Sequence, residues 1–352
     1  MIGGRGTGIP TERLAPWLEQ HVPGFRGPAT ACVVNGGNSN PVVRVDSADG
    51  RVLALRSRAA GVDPRAHPID REYRVLRALA GSPVPVPAAY AYCDDPTVIG
   101  QAFYVMNFVA GRIIDDARLP GIPREQRPVI YEDYVRTFAR LHSLDWRARE
   151  LADYGKGAGY VRRQLRVLTQ GYRAWNEPPL PELDWLIDWL ERHVDRHVVD
   201  DHPVALVHGD VRIGNCVIDP ASPRIAAVLD WEVSTLGDPI ADAALLVLPW
   251  YLPPTPCGDF MTTPPGAFGI PPARQLIDWY CDERGLDALP ALDFMIVFQL
   301  FRYSAANYGI GARARRGQHV SDLAEIWGAL AGPNAARART LIESGELCGG
   351  LS

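Results

Sequence analysis

The chain has 352 residues, of which 47% are hydrophobic and 22% charged, enough to bury one large core or two smaller ones. Its formal net charge of -5 excludes a general basic attraction to nucleic acid or to an anionic membrane. Its six cysteines, Cys32, Cys93, Cys216, Cys257, Cys281 and Cys348, are scattered and form no Cys-x-x-Cys pair, so neither a zinc site nor a disulfide framework is suggested.

No charged and then apolar signal segment opens the chain. Residues 31 to 57 read as strands. Ala31 to Asn35 leads into the turn Gly36-Gly37-Asn38-Ser39-Asn40. Val42 to Val45 and Val52 to Leu55 then flank Ala48-Asp49-Gly50 as a hairpin. Asp70 is expected to cap a helix running to about Ala80, with Tyr73, Leu76 and Leu79 on one face and Gly81 as the stop. After a proline-rich stretch, Ala102 to Met106 reads as a buried strand, and residues 107 to 111 as a linker.

Beyond residue 120 the spacing turns helical. Tyr131, Tyr134, Val135, Phe138, Leu141 and His142 form one series; Val161, Leu165, Leu168, Tyr172 and Trp175 a second; Leu183, Leu186, Ile187, Leu190 and Val194 a third. Short strands are expected at 204 to 207, 216 to 218 and 225 to 229, and helices near 239 to 248, 272 to 284, 290 to 308 and 319 to 331. Leu289 to Tyr308 is the most apolar long run, but it contains Asp293, Gln299 and Arg302, so it reads as a buried helix and not a membrane span. Pro253 to Pro272 is expected to be a long loop able to fold over a substrate. A reduced, cytoplasmic compartment is expected. The layout is α+β: an N-terminal extension and helix (1–29), a small strand-rich lobe (30–106), a hinge (107–111), a larger helical lobe (112–335) and a tail (336–352).

One constellation carries chemistry. His208-Gly209-Asp210 is followed by Asn215, and Asp230 lies twenty residues after Asp210. That is the spacing of a catalytic loop and metal-binding strand in a kinase-type phosphotransferase. Asp210 is placed to accept a hydroxyl proton. Asn215 and Asp230 offer the hard oxygen ligands that Mg²⁺ prefers. A carboxylate closing the apolar strand Ala226 to Leu229 needs a cation or an arginine, and Mg²⁺ is the expected partner. Glu232 reads either as an alternate metal or substrate contact or as structural. His208 is expected to be a structural hydrogen-bonding residue, and Asp238 an N-cap or a brace for the loop.

Other candidates surround this set. Backbone and side-chain groups of Asn38, Ser39 and Asn40 are candidates to lie over nucleotide phosphates, although most such turns are plain hairpins. No Walker A sequence is present. Arg56, ending a strand, and Glu72, on the following helix, fall where a phosphate-contacting cation pairs with a helix glutamate; the alternative is a surface ion pair worth about 0–1 kcal/mol. Asn107 and Val109 bracket the hinge whose backbone would hold adenine. Arg212 is a candidate substrate contact. So are Arg313 and Arg316, which cluster with Arg315 and His319 in what is otherwise a solvated basic turn. The chain contains a single lysine, Lys156, so any basic phosphate clamp must be arginine.

These segments together resemble the aminoglycoside phosphotransferase-like kinase family, over roughly residues 30 to 335. Gly36-Gly37-Asn38-Ser39-Asn40-Pro41, Asp70-Arg71-Glu72-Tyr73-Arg74-Val75-Leu76, Phe103-Tyr104-Val105-Met106, Leu141-His142-Ser143-Leu144-Asp145, Asp153-Tyr154-Gly155-Lys156, His208 to Asn215 and Leu229 to Pro239 carry the likeness. It is closest to the kinase-type domain at the front of acyl-CoA dehydrogenase fusion proteins. The resemblance implies a protein-kinase-like two-lobed fold, ATP and Mg²⁺ as cofactors, and γ-phosphoryl transfer to a small-molecule hydroxyl. It sets Asp210 on the family's catalytic Asp, and Asn215 and Asp230 on its metal ligands. Arg56 stands where many members carry lysine and where this branch commonly carries arginine. A hydroxylated acyl-CoA acceptor is implied, with the arginines near 313 to 316 meeting CoA phosphates. An aminoglycoside acceptor, a silent nucleotide-binding protein and a protein kinase are the competing readings. The Ala-Pro-Glu signature of a protein kinase is absent after Asp230. No nucleic acid or membrane partner is expected, and the sequence is silent on oligomeric state.

Overall fold

The computed structural model describes residues 9–34, 42–57, 69–198, 203–258, 260–318 and 323–347. The chain divides into two compact units, Met1–Gly111 with Ala226–Val233, and Arg112–Ile225 with Ser234–Ser352.

The first unit opens with helix α1 (Thr11–His21) and strands β1 (Ala29–Val33), β2 (Val42–Ser47) and β3 (Val52–Ser57). Helix α2 (Ile69–Leu79), strand β4 (Ala89–Cys93), the short helix α3 (Pro96–Ile99) and strand β5 (Phe103–Asn107) complete it. The five strands form one antiparallel sheet in the order β1-β2-β3-β5-β4. Leu14 and Leu18 of α1 pack with Val43, Val45, Leu53, Leu55, Phe103 and Val105 in its core. Strand residues alternate between faces. With Leu55 and Val105 in that core, the adjacent pair Arg56↔Tyr104 stands on the opposite face. Helix α2 packs against β4 and β5.

Sequence periodicity misplaces details of this unit. Strand β4 is not anticipated, because prolines 83, 85 and 87 obscure it; it is the edge strand that prolines permit. Asp70 lies inside the first turn of α2, where its charge suits the helix N-terminus. The buried face of α2 is Ile69, Glu72, Val75, Leu76 and Leu79, with Tyr73 only half-buried. A glutamate is therefore on the inward stripe.

In the second unit the helices are α4 (Arg127–His142), α5 (Tyr160–Arg173), α6 (Pro181–His197), α7 (Pro239–Val247), α8 (Ala273–Arg284), α9 (Leu292–Arg315), α10 (Ala324–Ala329) and α11 (Ala331–Ser344). Strands β6 (Ala205–Val207), β7 (Cys216–Ile218), β8 (Ile225–Val228) and β9 (Thr235–Gly237) interrupt them, β8 carrying the chain out of this unit. Helix α9 is the hub: α5, α6, α7, α10 and α11 all pack on it. No described helix is long and apolar enough to cross a membrane.

Strands β6 and β9 pair antiparallel, Leu206 opposite Leu236, and so fix the start of the loop that follows β6. Strand β9, three residues long, gives no sequence pattern. Residues from 336, expected as a tail, continue α11 to Ser344. The loop expected to be free to fold over a substrate is tied down in part. Arg124 donates to the carbonyls of Gly266 and Ala267 at 2.7 Å each, and Arg127 donates to that of Phe268 at 2.7 Å.

Candidate active site

Two separate sets of polar residues are built, one in each unit. In the second, strand β6 ends at Val207 and the chain turns sharply at Gly209, whose φ of 82° lies in the region that suits glycine. The turn is held from three sides. Asp242 of α7 is fully buried and accepts from His208 N at 2.6 Å and from Gly209 N at 3.0 Å. Arg302 of α9 donates to Gly209 O at 3.0 Å. Asp210 N donates to His208 Nδ1 at 3.3 Å. The expected structural role of His208 is therefore a hydrogen-bonding one within the loop. Asp238 caps α7, accepting from Ile240 N at 2.9 Å ahead of Pro239.

Asp242 also meets His142, whose Nε2 lies 3.3 Å from Asp242 Oδ2, while Tyr280 Oη lies 2.7 Å from His142 Nδ1. Burial holds the imidazole below its ordinary value, outweighing the carboxylate beside it. An imidazole that donates from Nε2 to Asp242 accepts at Nδ1 from the tyrosine. Burial pushes the Asp242 carboxyl up, but the bonds from His142 and the loop amides outweigh it and hold the group below the usual carboxylate range.

Asn215 Nδ2 donates both to Asp210 O and to Asp210 Oδ2, each at 2.8 Å. Its amide nitrogen thus fixes the carboxylate rotamer, and its oxygen is the atom suited to a cation. Arg212 Nη1 donates to Asp115 Oδ1 at 2.6 Å, and its Nε lies 3.5 Å from Asp210 Oδ2. Gly214 sits under this bridge. A Cβ there would lie 3.1 Å from Asp115 Cα and collide with the Asp115 carboxylate and the Arg212 guanidinium. Gly214→Ala should cost about 1–3 kcal/mol in urea denaturation and lower activity by displacing Arg212. Unchanged stability and activity would show that the bridge is not tightly packed.

In the first unit, Arg56 is almost fully buried and reaches three carboxylates. Its Nε lies 3.0 Å from Glu72 Oε2, and its Nη2 lies 2.8 Å from Asp230 Oδ1 and 3.4 Å from Glu232 Oε2. Tyr104 Oη donates to Glu72 Oε2 at 2.9 Å. This is a buried network, so the surface ion-pair reading of Arg56 and Glu72 fails on their burial. Asp230 holds φ at 65°, a left-handed backbone conformation that Asp tolerates better than most residues. Glu72, Asp230 and Glu232 each offer an oxygen within 4.8 Å of one another, a donor set compatible with a hard divalent cation.

Glu72 Oε1 is buried without a hydrogen-bond partner. Burial, reinforced by Asp230 and Glu232, pushes the Glu72 carboxyl from 4.5 up to about 7 against the pull of Arg56 and Tyr104. The folded chain therefore holds this proton more tightly than the unfolded chain. The contribution is complete below pH 4.5 and is lost as pH rises toward 7. Glu72→Gln should abolish that decline, which urea melts at pH 5 and pH 7 would read. An unchanged pH slope would mean that Glu72 is ionised throughout.

The remaining candidates divide. Asn38, Ser39, Asn40 and His319 lie outside the described residues. Asn107 Oδ1 accepts from Ala88 N at 2.5 Å, and the amides of Asn107 and Phe108 bond Ala88 O and Val52 O, so the strand ladder runs to Phe108. Val109 follows it, half-buried. Arg315 and Arg316 pair with Glu177 at 2.9 and 3.5 Å, and Arg313 and Arg316 lie over the Trp175 ring. The basic turn thus has Glu177 and Trp175 as its partners. Glu232, a candidate substrate contact, lies in the Arg56 network. Asp242, His142, Arg302 and Tyr104 were missed as site-building residues. Asp242 left a signal, as a carboxylate inside the apolar run from Pro239 to Val247, and so did Arg302 inside the run from Leu289 to Tyr308.

Residues 30–295 match the family model "Phosphotransferase enzyme family" (APH). The chain is 36% identical over 315 residues to acyl-CoA dehydrogenase family member 11 of Mus musculus, covering 88% of this chain and 40% of that protein. It is 36% identical over 322 residues to family member 10 of the same organism, covering 89% of this chain and 30% of that protein. The chain thus spans well under half the length of these relatives. A crystal structure of a protein assigned to the aminoglycoside phosphotransferases, from Ralstonia eutropha JMP134, superposes with a TM-score of 0.84 at 34% identity, covering 96% of this chain and 99% of that one.

Proposed function

The chain belongs to the phosphotransferase enzyme family, and from that premise we propose that it moves the γ-phosphoryl group of ATP to a hydroxyl of a small molecule, with Mg²⁺ as the metal. The observation that carries this reading is the Asp210 carboxylate. Asn215 fixes one of its oxygens, and its loop is braced by a buried carboxylate and by α9. A group held this rigidly suits a reaction in which positioning and electrostatics supply most of the rate.

In this mechanism Asp210 orients the acceptor hydroxyl and takes its proton. Arg56 offsets charge on the nucleotide phosphates, and Glu72 and Tyr104 hold its guanidinium in place. The Asp230 carboxylate and the Asn215 amide oxygen are the hard donors that would hold Mg²⁺, with Glu232 beside Asp230; the bound ion supplies charge neutralisation of the phosphates. Val109 and the backbone near Asn107 are assigned to adenine, and the segment containing Asn38, Ser39 and Asn40 to the phosphates.

The mouse relatives are named as acyl-CoA dehydrogenase family members, which supports a hydroxyacyl-CoA acceptor. The Ralstonia structure's assignment supports an antibiotic acceptor as the second reading. The test is nucleotide consumption with Mg²⁺ against hydroxyacyl-CoAs, aminoglycosides, macrolides, choline, homoserine and sugars. Turnover with one class names the acceptor. Nucleotide binding with no transfer to any of them favours a silent nucleotide-binding protein.

A further inference from the structure

Arg212 is spent in an unusual way for a partly exposed arginine. Its side chain keeps 39% of its accessible surface, yet it is clamped between two carboxylates of the same unit, with Nη1 on Asp115 at 2.6 Å and Nε 3.5 Å from Asp210 Oδ2. Asp115 itself is mostly exposed, at 64%. The clamp is therefore not the burial of a charge that needs partners. It is a cation fixed at the surface of the loop, beside the carboxylate that Asn215 orients. Gly214 is the residue that lets Asp115 approach. An arginine beside Asp210 without Asp115 would be free to collapse onto the carboxylate and cover it. Asp115 draws the guanidinium's Nη1 away and leaves Nε near Oδ2, and Nη2 has no protein partner among the described residues.

We propose that Arg212 is a catalytic residue that contacts the oxygens of the phosphoryl group while it is being transferred, and that Asp115 is the positioning residue that aims it. The inference rests on the phosphotransferase reading above. In the step, the acceptor oxygen forms its bond to phosphorus as its proton passes to Asp210. The bond from phosphorus to the bridging oxygen of the nucleoside diphosphate breaks, and its electron pair leaves with that oxygen. The three non-bridging oxygens carry negative charge throughout, in reach of a pre-set guanidinium whose donors match oxygens in pairs.

The test compares the unmodified chain with Arg212→Ala and Arg212→Lys, using ADP with and without aluminium fluoride as a mimic of the phosphoryl group in flight. We expect aluminium fluoride to tighten ADP binding to the unmodified chain. That tightening should fall by roughly 10²-fold in Arg212→Ala, partly return with Lys, and recover with about 50 mM added guanidinium. Affinity for ADP alone should stay within about threefold in all variants. Asp115→Asn should lose an intermediate share of the tightening. Equal tightening in Arg212→Ala would overturn the assignment, and so would a loss that tracks a fall in melting temperature and resists guanidinium. If the unmodified chain binds no ADP at all, it is the phosphotransferase reading that fails, not the placement of Arg212.

Discussion

Asp210→Asn should lower turnover by roughly 10²–10⁴-fold, while nucleotide affinity stays within about threefold of the unmodified chain. The substitution keeps the size of the side chain and an oxygen that can accept from Asn215 Nδ2, now 2.8 Å from Asp210 Oδ2. What it removes is the ability to take a proton. The loss should therefore appear in kcat, with little change in nucleotide KM. Isothermal titration with nucleotide beside steady-state turnover separates the two quantities. A loss of less than about tenfold would remove Asp210 from the role of base.

Asp242→Ala should cost about 3–5 kcal/mol of stability, because three donors lose their acceptor at once. These are His208 N, Gly209 N and His142 Nε2, all in a fully buried place. Asp242→Asn keeps one acceptor oxygen and should cost less. Urea midpoints with unchanged slopes would give the difference, and a cost below about 1 kcal/mol for the alanine would show that the turn holds itself. The same network fixes a response to acid. Asp242 lies below its ordinary 3.8 and His142 below its ordinary 6.5 when folded. The unfolded chain then takes up protons first, so this contribution is present above those values and is lost as pH falls through them. Glu72 works in the other direction. The two polar networks therefore carry opposite pH dependences, and replacing each in turn should tilt the stability profile in opposite senses.

Much of this arrangement was legible before any coordinates. The spacing of Asp210, Asn215 and Asp230 needs only counting, because catalytic loops are local. The three helical series in 131–194 were legible because long amphipathic stripes repeat often enough to stand out. Strands β4 and β9 were not, since one hides behind prolines and the other has three residues. The supports of the site were also hidden. Arg302 reaches Gly209 from 93 positions away, and Tyr104 reaches Glu72 across 32. A sequence pattern reports neighbours along the chain, and these contacts exist only because the helices and sheet bring distant segments together. The basic turn at 313–316 is conspicuous in sequence, but its partners, Glu177 and the Trp175 ring, are not.

The arginine at position 56 has a practical effect on how this protein can be detected. Reagents that profile nucleotide sites by acylating an amine rely on a nucleophilic lysine beside the phosphates. Here the buried cation beside Glu72 and Asp230 is a guanidinium, which stays protonated and does not acylate. The chain's single amine-bearing side chain, Lys156, is exposed in another part of the molecule's sequence and unit. Amine-directed nucleotide probes should acylate no side chain at position 56. Surveys built on that chemistry would pass over position 56.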